Sequence, residues 1–195
     1  MCNSWCFDFV TASQRWWPEN PTILEVGSLD VNGSPRDVCQ NNYASYVGVD
    51  LVLGPGVDVV CDVEELPDNP VGQQKYDVVI STEMLEHAHN WNIALFNLLD
   101  VVSVGGILVL TTRSPGFEYH PYPEDNWRFI VEDFQFLFPP DDLSFKLLVV
   151  EPDPDTRNGI SCGVGIIVQK ISLDIEHIQE RFNNFKAYNV HTESR

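Results

Sequence analysis

The stretch Thr22-Ile-Leu-Glu-Val-Gly-Ser-Leu-Asp-Val-Asn-Gly33, read with Tyr46-Val-Gly-Val-Asp50 and Val57-Asp-Val-Val-Cys-Asp62, decides the fold. Thr22–Val26 reads as a buried strand that runs into a glycine turn at Gly27. Ser45–Val49 reads as a second strand ending in an acid, Asp50. Val57–Val60 reads as a third, with Asp62 just past its end. Open α/β sheets bind ligands outside the carboxyl ends of their strands. A glycine there lets backbone approach the ligand. Asp50 is placed to accept protons from both hydroxyls of a ribose, and Asp62 to meet an adenine amine. The pattern is that of an adenosine site.

Working outward, Tyr76–Ser81 is a largely apolar run suited to a parallel strand buried on both faces. Residues 89–102 put Trp91, Leu95, Leu98 and Val102 on one helical face. Gly105-Gly106 opens a fifth strand, Ile107–Thr111. Val131–Phe138 predicts a short helix stopped by Pro139-Pro140. Phe145–Val150 and Val164–Gln169 are the last two strands, candidates for a hairpin pair. Residues 174–186 predict a closing helix with Ile175, Ile178, Phe182 and Phe185 on one face. Before the first strand, Trp5, Phe9, Val10 and Trp16 recur at near-helical spacing. They predict an N-terminal helix over residues 3–17 that packs on or caps the ligand cleft and ends at Pro18 and Pro21. A short helix is expected over residues 35–41, with Pro35 in its first turn. Only Leu51–Gly56 separates the second strand from the third, so a full helix between them is not expected. Residues 63–75 read as a short helix or loop.

Composition narrows the class of function. The chain has 195 residues, a size that suits one α/β domain. No apolar run approaches the ~20 residues of a membrane span, and no basic-then-apolar start suggests a signal peptide. A cytoplasmic enzyme is the expectation. Formal net charge is −18, with only 11 Lys and Arg, none of them clustered. Nucleic-acid binding needs basic surface, so a nucleic-acid partner is disfavoured. Five cysteines, an odd number, point to free thiols. Cys2 and Cys6 are spaced to share a helix face, but no second close Cys or His pair accompanies them, and no metal is expected.

The order of these parts resembles a class I S-adenosylmethionine-dependent methyltransferase, in its small-molecule, type 11-like branch. Glu25-Val-Gly27-Ser28 is similar to the family's first motif, Asp50 to its ribose acid, and Asp62-Val63 to its adenine-side pair. Ser81-Thr-Glu-Met-Leu-Glu-His87 and Gly105-Gly-Ile-Leu-Val-Leu110 resemble its fourth and fifth strand motifs. The opening Met1-Cys-Asn3…Cys6 and the string His120…Tyr122-Pro123…Trp127-Arg-Phe129 resemble a set of bacterial members. Leu29 and Val31 stand where the first motif usually has glycines, and the next glycine is Gly33.

The elements and the resemblance together imply a Rossmann-like α/β fold. It has an open sheet of about seven strands, mostly parallel with an antiparallel last strand, and helices on both faces. A single domain spans residues 1–195: a helical cap over 1–20, a core over 21–170 and a C-terminal helix over 171–195. The resemblance implies S-adenosylmethionine as cofactor and a small-molecule substrate, and leaves the oligomeric state open. Expected cofactor contacts are Asp50 at the ribose, Leu51 against the adenine, and Asp62 and Val63 at its edge. Gly27 and Ser28 would lie along the methionine part, and Ser81 is a further expected cofactor contact. Glu25 would orient the glycine turn or the ligand's ammonium group. Asp50 read without the resemblance is a turn cap, and Asp62 a helix N-cap. Methyl transfer from a sulfonium is chiefly a matter of orientation, so no catalytic triad is required. Glu83, His87 and His120 are the candidate proton acceptors, Glu83 and His87 sharing a face if their turn is helical. Tyr122, Trp127 and Arg128 follow the fifth strand and are the candidate substrate contacts. The rival readings are a nicotinamide-dependent oxidoreductase, which would want a Gly-x-Gly-x-x-Gly turn at a helix N-terminus, and a non-catalytic binding module.

Overall fold

Apolar residues alternate between two faces along the central strands, and each face is covered by its own helices. The computed structural model describes residues 4–40 and 42–192. The Met1-Cys2-Asn3 start, with the Cys2 thiol, lies outside them, as does Asn41. Seven strands build one sheet: β1 (Thr22–Val26), β2 (Ser45–Asp50), β3 (Val59–Val60), β4 (Tyr76–Thr82), β5 (Val102–Arg113), β6 (Phe145–Pro152) and β7 (Gly163–Lys170). Their order across the sheet is β3-β2-β1-β4-β5-β7-β6. Strands β1 to β5 pair in parallel, and β7 runs antiparallel to both β5 and β6. This is the expected open sheet with its antiparallel final strand.

Five helices flank it: α1 (Ser4–Ser13), α2 (Pro35–Val38), α3 (Trp91–Asp100), α4 (Val131–Leu137) and α5 (Glu176–Asn184). Leu24, Val79, Leu108, Leu110 and Ile166 form one buried layer with Trp91, Leu95 and Leu98 of α3, Phe134 of α4 and Phe182 of α5. Ile23, Val78, Ile80, Ile107, Val109 and Ile167 form the other with Phe9 and Val10 of α1 and with Cys39. Helix α1 is thus a structural layer on a sheet face, reaching the cleft only at its start, where Cys6 Sγ lies 3.5 Å from Thr111 Oγ1. It gives way to a 3-10 turn at Gln14–Trp16, earlier than periodicity suggests. No described helix is long and apolar enough to cross a membrane.

Two strands differ most in extent from expectation, and β5 also begins early, pairing Val102 with Tyr76 five residues before the expected Ile107. Strand β3 is only two residues long, because Asp58 turns back to hold β2: its backbone N–H donates to Gly48 O (2.8 Å), and its carboxylate accepts from Gly48 N–H (2.8 Å). Strand β5 runs on to Arg113, since β7 supplies partners for Thr112 and Arg113 beyond the end of β4.

Candidate active site

The carboxyl ends of β1, β2 and β4 meet at one edge of the sheet, and the connections there are braced to each other. Gly27 has φ 86°, a conformation that costs a residue with Cβ and costs glycine nothing. Its N–H and that of Ser28 donate to Val49 O at 2.9 and 3.1 Å. A Cβ on Gly27 would also meet Met84, so the segment after β4 packs directly on the turn. Asp50 is half-buried at the end of β2. Its carboxylate accepts from Leu29 N–H (3.0 Å) and, more weakly, from Val52 N–H (3.3 Å). Asp30 N–H donates to Pro55 O (2.9 Å), closing the first loop onto the second. A carboxylate has about four acceptor sites, so Asp50 braces the loops and keeps lone pairs for a ligand. Leu51 beside it is half-exposed.

The other expected cofactor contacts are placed as follows. Asp62 caps the 3-10 turn at Val63–Asp68, accepting from Glu64 N–H (2.9 Å), and Val63 is buried behind it. Ser28 and Ser81 are buried, each with a hydroxyl that lacks a hydrogen-bond partner. Glu25 lies beside Tyr46 on the sheet face that also carries α1 and Cys39, within electrostatic reach of Asp30 and Asp50. There it is 1% exposed and accepts from the Tyr46 hydroxyl (2.7 Å). Burial pushes its carboxyl up to about 7, against the pull of that hydrogen bond and of Arg36.

The ends of β4 and β5 carry a second cluster. Glu83 adopts φ 55°, the left-handed region that costs a non-glycine residue free energy and that concentrates at functional sites. Its buried carboxylate pairs with Arg113 Nε, and the Arg113 guanidinium stacks 3.7 Å from the Phe117 ring centre. Burial pushes the Glu83 carboxyl well above its ordinary value, with Cys6 and Glu86 adding to the shift and Arg113 opposing it. The turn that follows is 3-10 and spans only Leu85–His87. Glu83 lies before it, so Glu83 and His87 do not share a helix face. The fully buried partner of the histidines is Glu86. Thr112 Oγ1 donates to Glu86 Oε2 (2.9 Å). Glu86 Oε1 lies 3.9 Å from both His87 Nε2 and His120 Nε2. The two imidazoles meet edge to face, centres 4.8 Å apart. Burial holds the His120 imidazole below its ordinary value, with Glu86 and Asp125 pulling the other way.

Arg128 is buried and paired within its own loop. Its guanidinium is 2% exposed and makes a two-pronged pair with Asp125 (Nη2 to Oδ2, 2.6 Å), with further bonds to Trp127 O (2.8 Å) and Glu118 O (3.3 Å). It holds the 118–128 loop together, with both terminal nitrogens engaged inside the protein. Trp127 is half-buried, with Nε1 donating to Ala88 O (2.8 Å), and it packs on the core. Tyr122 is 80% exposed at the loop tip. Glu86, Arg113 and Asp125 are the members that sequence reasoning missed. The signal for Glu86 was its place directly before His87. Arg113 and Asp125 gave none, because their partners lie far away in the chain or depend on a loop closing on itself.

Comparison with known proteins follows the same division. Residues 7–151 match a family model described as a methyltransferase domain. No curated protein matches the chain in sequence. Among solved structures, an S-adenosylmethionine-dependent methyltransferase from Clostridium acetobutylicum aligns with TM-score 0.61 at 10% identity, over 88% of this chain and 93% of that one. A 1,6-didemethyltoxoflavin-N1-methyltransferase from Burkholderia thailandensis, with S-adenosylhomocysteine bound, aligns with TM-score 0.59 at 13% identity, over 87% and 78%. An rRNA methylase from Streptococcus thermophilus aligns with TM-score 0.52 at 12% identity, over 85% and 94%. At these identities the likeness concerns the fold.

Proposed function

The chain belongs to the methyltransferase domain family and is an S-adenosylmethionine-dependent methyltransferase of the class I fold, and on that basis we propose that it methylates a small or medium-sized organic acceptor. The observation that carries the reading is the braced edge: the Gly27 turn, and Asp50 at the end of β2 with acceptor capacity to spare. Bound S-adenosylmethionine supplies a methyl group on a positively charged sulfur. Asp50 would hold the ribose, Leu51 would flank the adenine, and Asp62 and Val63 would border it. Gly27, Ser28 and Ser81 would line the methionine part, the orphaned hydroxyls of the two serines being matched to a polar ligand. Glu25 would support the turn from behind.

The acceptor side is the cluster after β4 and β5. Glu83, set by Arg113, and the His87–His120 pair, set by Glu86, would orient the acceptor, with Trp127 and Tyr122 as its apolar rim. Orientation of this kind supplies most of what such a transfer needs. A net charge of −18 with 11 basic residues favours a small molecule over a nucleic acid as acceptor. The domain would act as one unit over 1–195, in the cytoplasm.

Titration calorimetry with S-adenosylhomocysteine and with NAD tests the cofactor half: one-to-one binding of the first and none of the second is expected. Radiolabelled methyl transfer, compared between RNA and pools of small metabolites, tests the acceptor half. Transfer to RNA alone would overturn it.

A further inference from the structure

Three ligand-type atoms converge at the ends of β4 and β5: Glu86 Oε1, His87 Nε2 and His120 Nε2. One ligand atom from each of Glu86, His87 and His120 lies within 4.8 Å of the other two, and Glu86 Oε1 is 3.9 Å from His87 Nε2 and from His120 Nε2. We propose that Glu86, His87 and His120 form a binding site for a divalent cation of the zinc type.

The surroundings of each ligand carry the inference. A metal-binding histidine is normally fixed by an oxygen that faces its other ring nitrogen. His87 meets this condition with a hydrogen bond, and His120 has a carboxylate oxygen close to Nδ1 without a formed hydrogen bond. His87 Nδ1 is in hydrogen-bond contact with the Glu124 carbonyl, which can only accept, so Nδ1 holds the proton and Nε2 keeps its lone pair. His120 Nδ1 lies 3.2 Å from Asp125 Oδ2. Asp125 is itself locked by Arg128, and its Oδ2 also accepts from His120 N–H (2.8 Å). The carboxylate is fixed in the same way, since Thr112 occupies Oε2 and leaves Oε1 toward the imidazoles. Glu86 is fully buried, yet Oε1 has no hydrogen-bond partner. An acceptor left so in the interior is costly unless something answers it. The nearest cation, Arg113 Nε, is 4.0 Å away and is already in contact with Glu83.

The donor set selects the ion. Two imidazoles and one carboxylate suit zinc and its neighbours, whereas magnesium and calcium prefer oxygen. Bonds of ~2.0–2.1 Å at tetrahedral angles put ligand atoms about 3.3 Å apart, so the imidazoles would close on Glu86 by roughly half an ångström. The side chains of His87 and His120 are 14% and 25% exposed, so the cluster lies close to the surface although Glu86 Oε1 and the His120 ring nitrogens are buried. A zinc-type ion there is a Lewis acid beside the acceptor loop. The ligand role replaces a proton-accepting one at Nε2, and it departs from the sequence expectation of no metal. It extends the methyltransferase reading without depending on it for its test.

The test uses the full chain after treatment with a chelator. Titration with zinc alone should show one ion per chain. Cobalt(II) should give the intense visible bands of a four- or five-coordinate site. His87→Ala and His120→Ala, each checked for native circular dichroism, should each weaken zinc at least 10²-fold. Thr112→Val, which frees Oε2 but keeps all three ligands, should weaken it about 10-fold. S-adenosylhomocysteine is titrated separately into the zinc-free protein. Wild-type protein that binds the nucleoside but neither zinc nor cobalt overturns the metal site and leaves the methyltransferase reading intact. Zinc bound with undiminished affinity by both histidine variants overturns it too, and would point to the thiols.

Discussion

Asp50 has two duties at one carboxylate, and the residue scale is where they separate. Its bonds to Leu29 and Val52 N–H belong to the loops, and its remaining lone pairs belong to the ligand. Asp50→Ala should weaken S-adenosylhomocysteine at least about tenfold, the loss of one charge-assisted hydrogen bond of roughly 1.5–3 kcal/mol. Calorimetry on the folded variant checks this, and unchanged affinity would remove the assignment. Arg128 behaves in the opposite way. Removing one partner of a buried ion pair leaves the other charge uncompensated, at about 3–5 kcal/mol. Arg128→Ala should therefore appear in urea unfolding as lost stability, not as a raised KM. Glu25 adds a pH effect. Its folded value of about 7 lies above the ordinary 4.5, so the folded chain holds that proton more tightly. The associated stability is complete below pH 4.5 and is lost as pH rises through 7. Glu25→Gln should flatten the unfolding free energy across that window, and an unchanged slope would show that the shift is absent. Asp58, Asp125 and Asp142 are held below their ordinary values, net of burial, by Arg36, Arg128 and Arg181 respectively. Their contribution is lost only at lower pH, so the two effects separate.

Among the elements, the parallel strands were legible because each is a local apolar run, the first four ended by a glycine or an acid and the fifth preceded by Gly105-Gly106, and strand order follows once five such runs occur in sequence. What local pattern does not contain is where pairing stops. Strand β3 was read too long and β5 too short because their ends are set by Asp58 and by β7, which are contacts across the chain. The acceptor cluster was half legible for the same reason. Glu83, His87 and His120 stand out by chemical type, but the partners that aim them (Arg113, Glu86, Asp125) are chosen by the fold. The pairing of Arg128 with Asp125 was not legible, because a sequence shows a charge without showing whether it is already paired. Gly48 illustrates a constraint that only packing reveals. A Cβ there would run into the Gly56 carbonyl and the Ser28 side chain. Backbone cannot move aside cheaply, so Gly48→Ala should cost about 1–3 kcal/mol and loosen the brace between the first two loops. Thermal unfolding and S-adenosylhomocysteine affinity should fall together, and an alanine variant as stable as wild type would contradict the close approach.

For the whole molecule, a charge of −18 on 195 residues sets a background of self-repulsion. Raising salt from about 10 mM to about 150 mM shortens the screening length from ~30 to ~8 Å. Calorimetric Tm should rise by a few degrees over that range, and a fall would mean that the favourable ion pairs outweigh the repulsion. The order of the strands has a further consequence, in time and not in space. Strand β6 leaves the ribosome before β7, yet it touches the sheet only through β7. Until residues 163–170 emerge, β5 has an open edge and β6 has no place to dock. Exposed strand edges of this kind invite association with other chains. A ribosome paused before Gly163 therefore holds five parallel strands with an unsealed border and one unattached strand. Emergence of residues 163–170 gives β5 its second neighbour and β6 its place in the sheet.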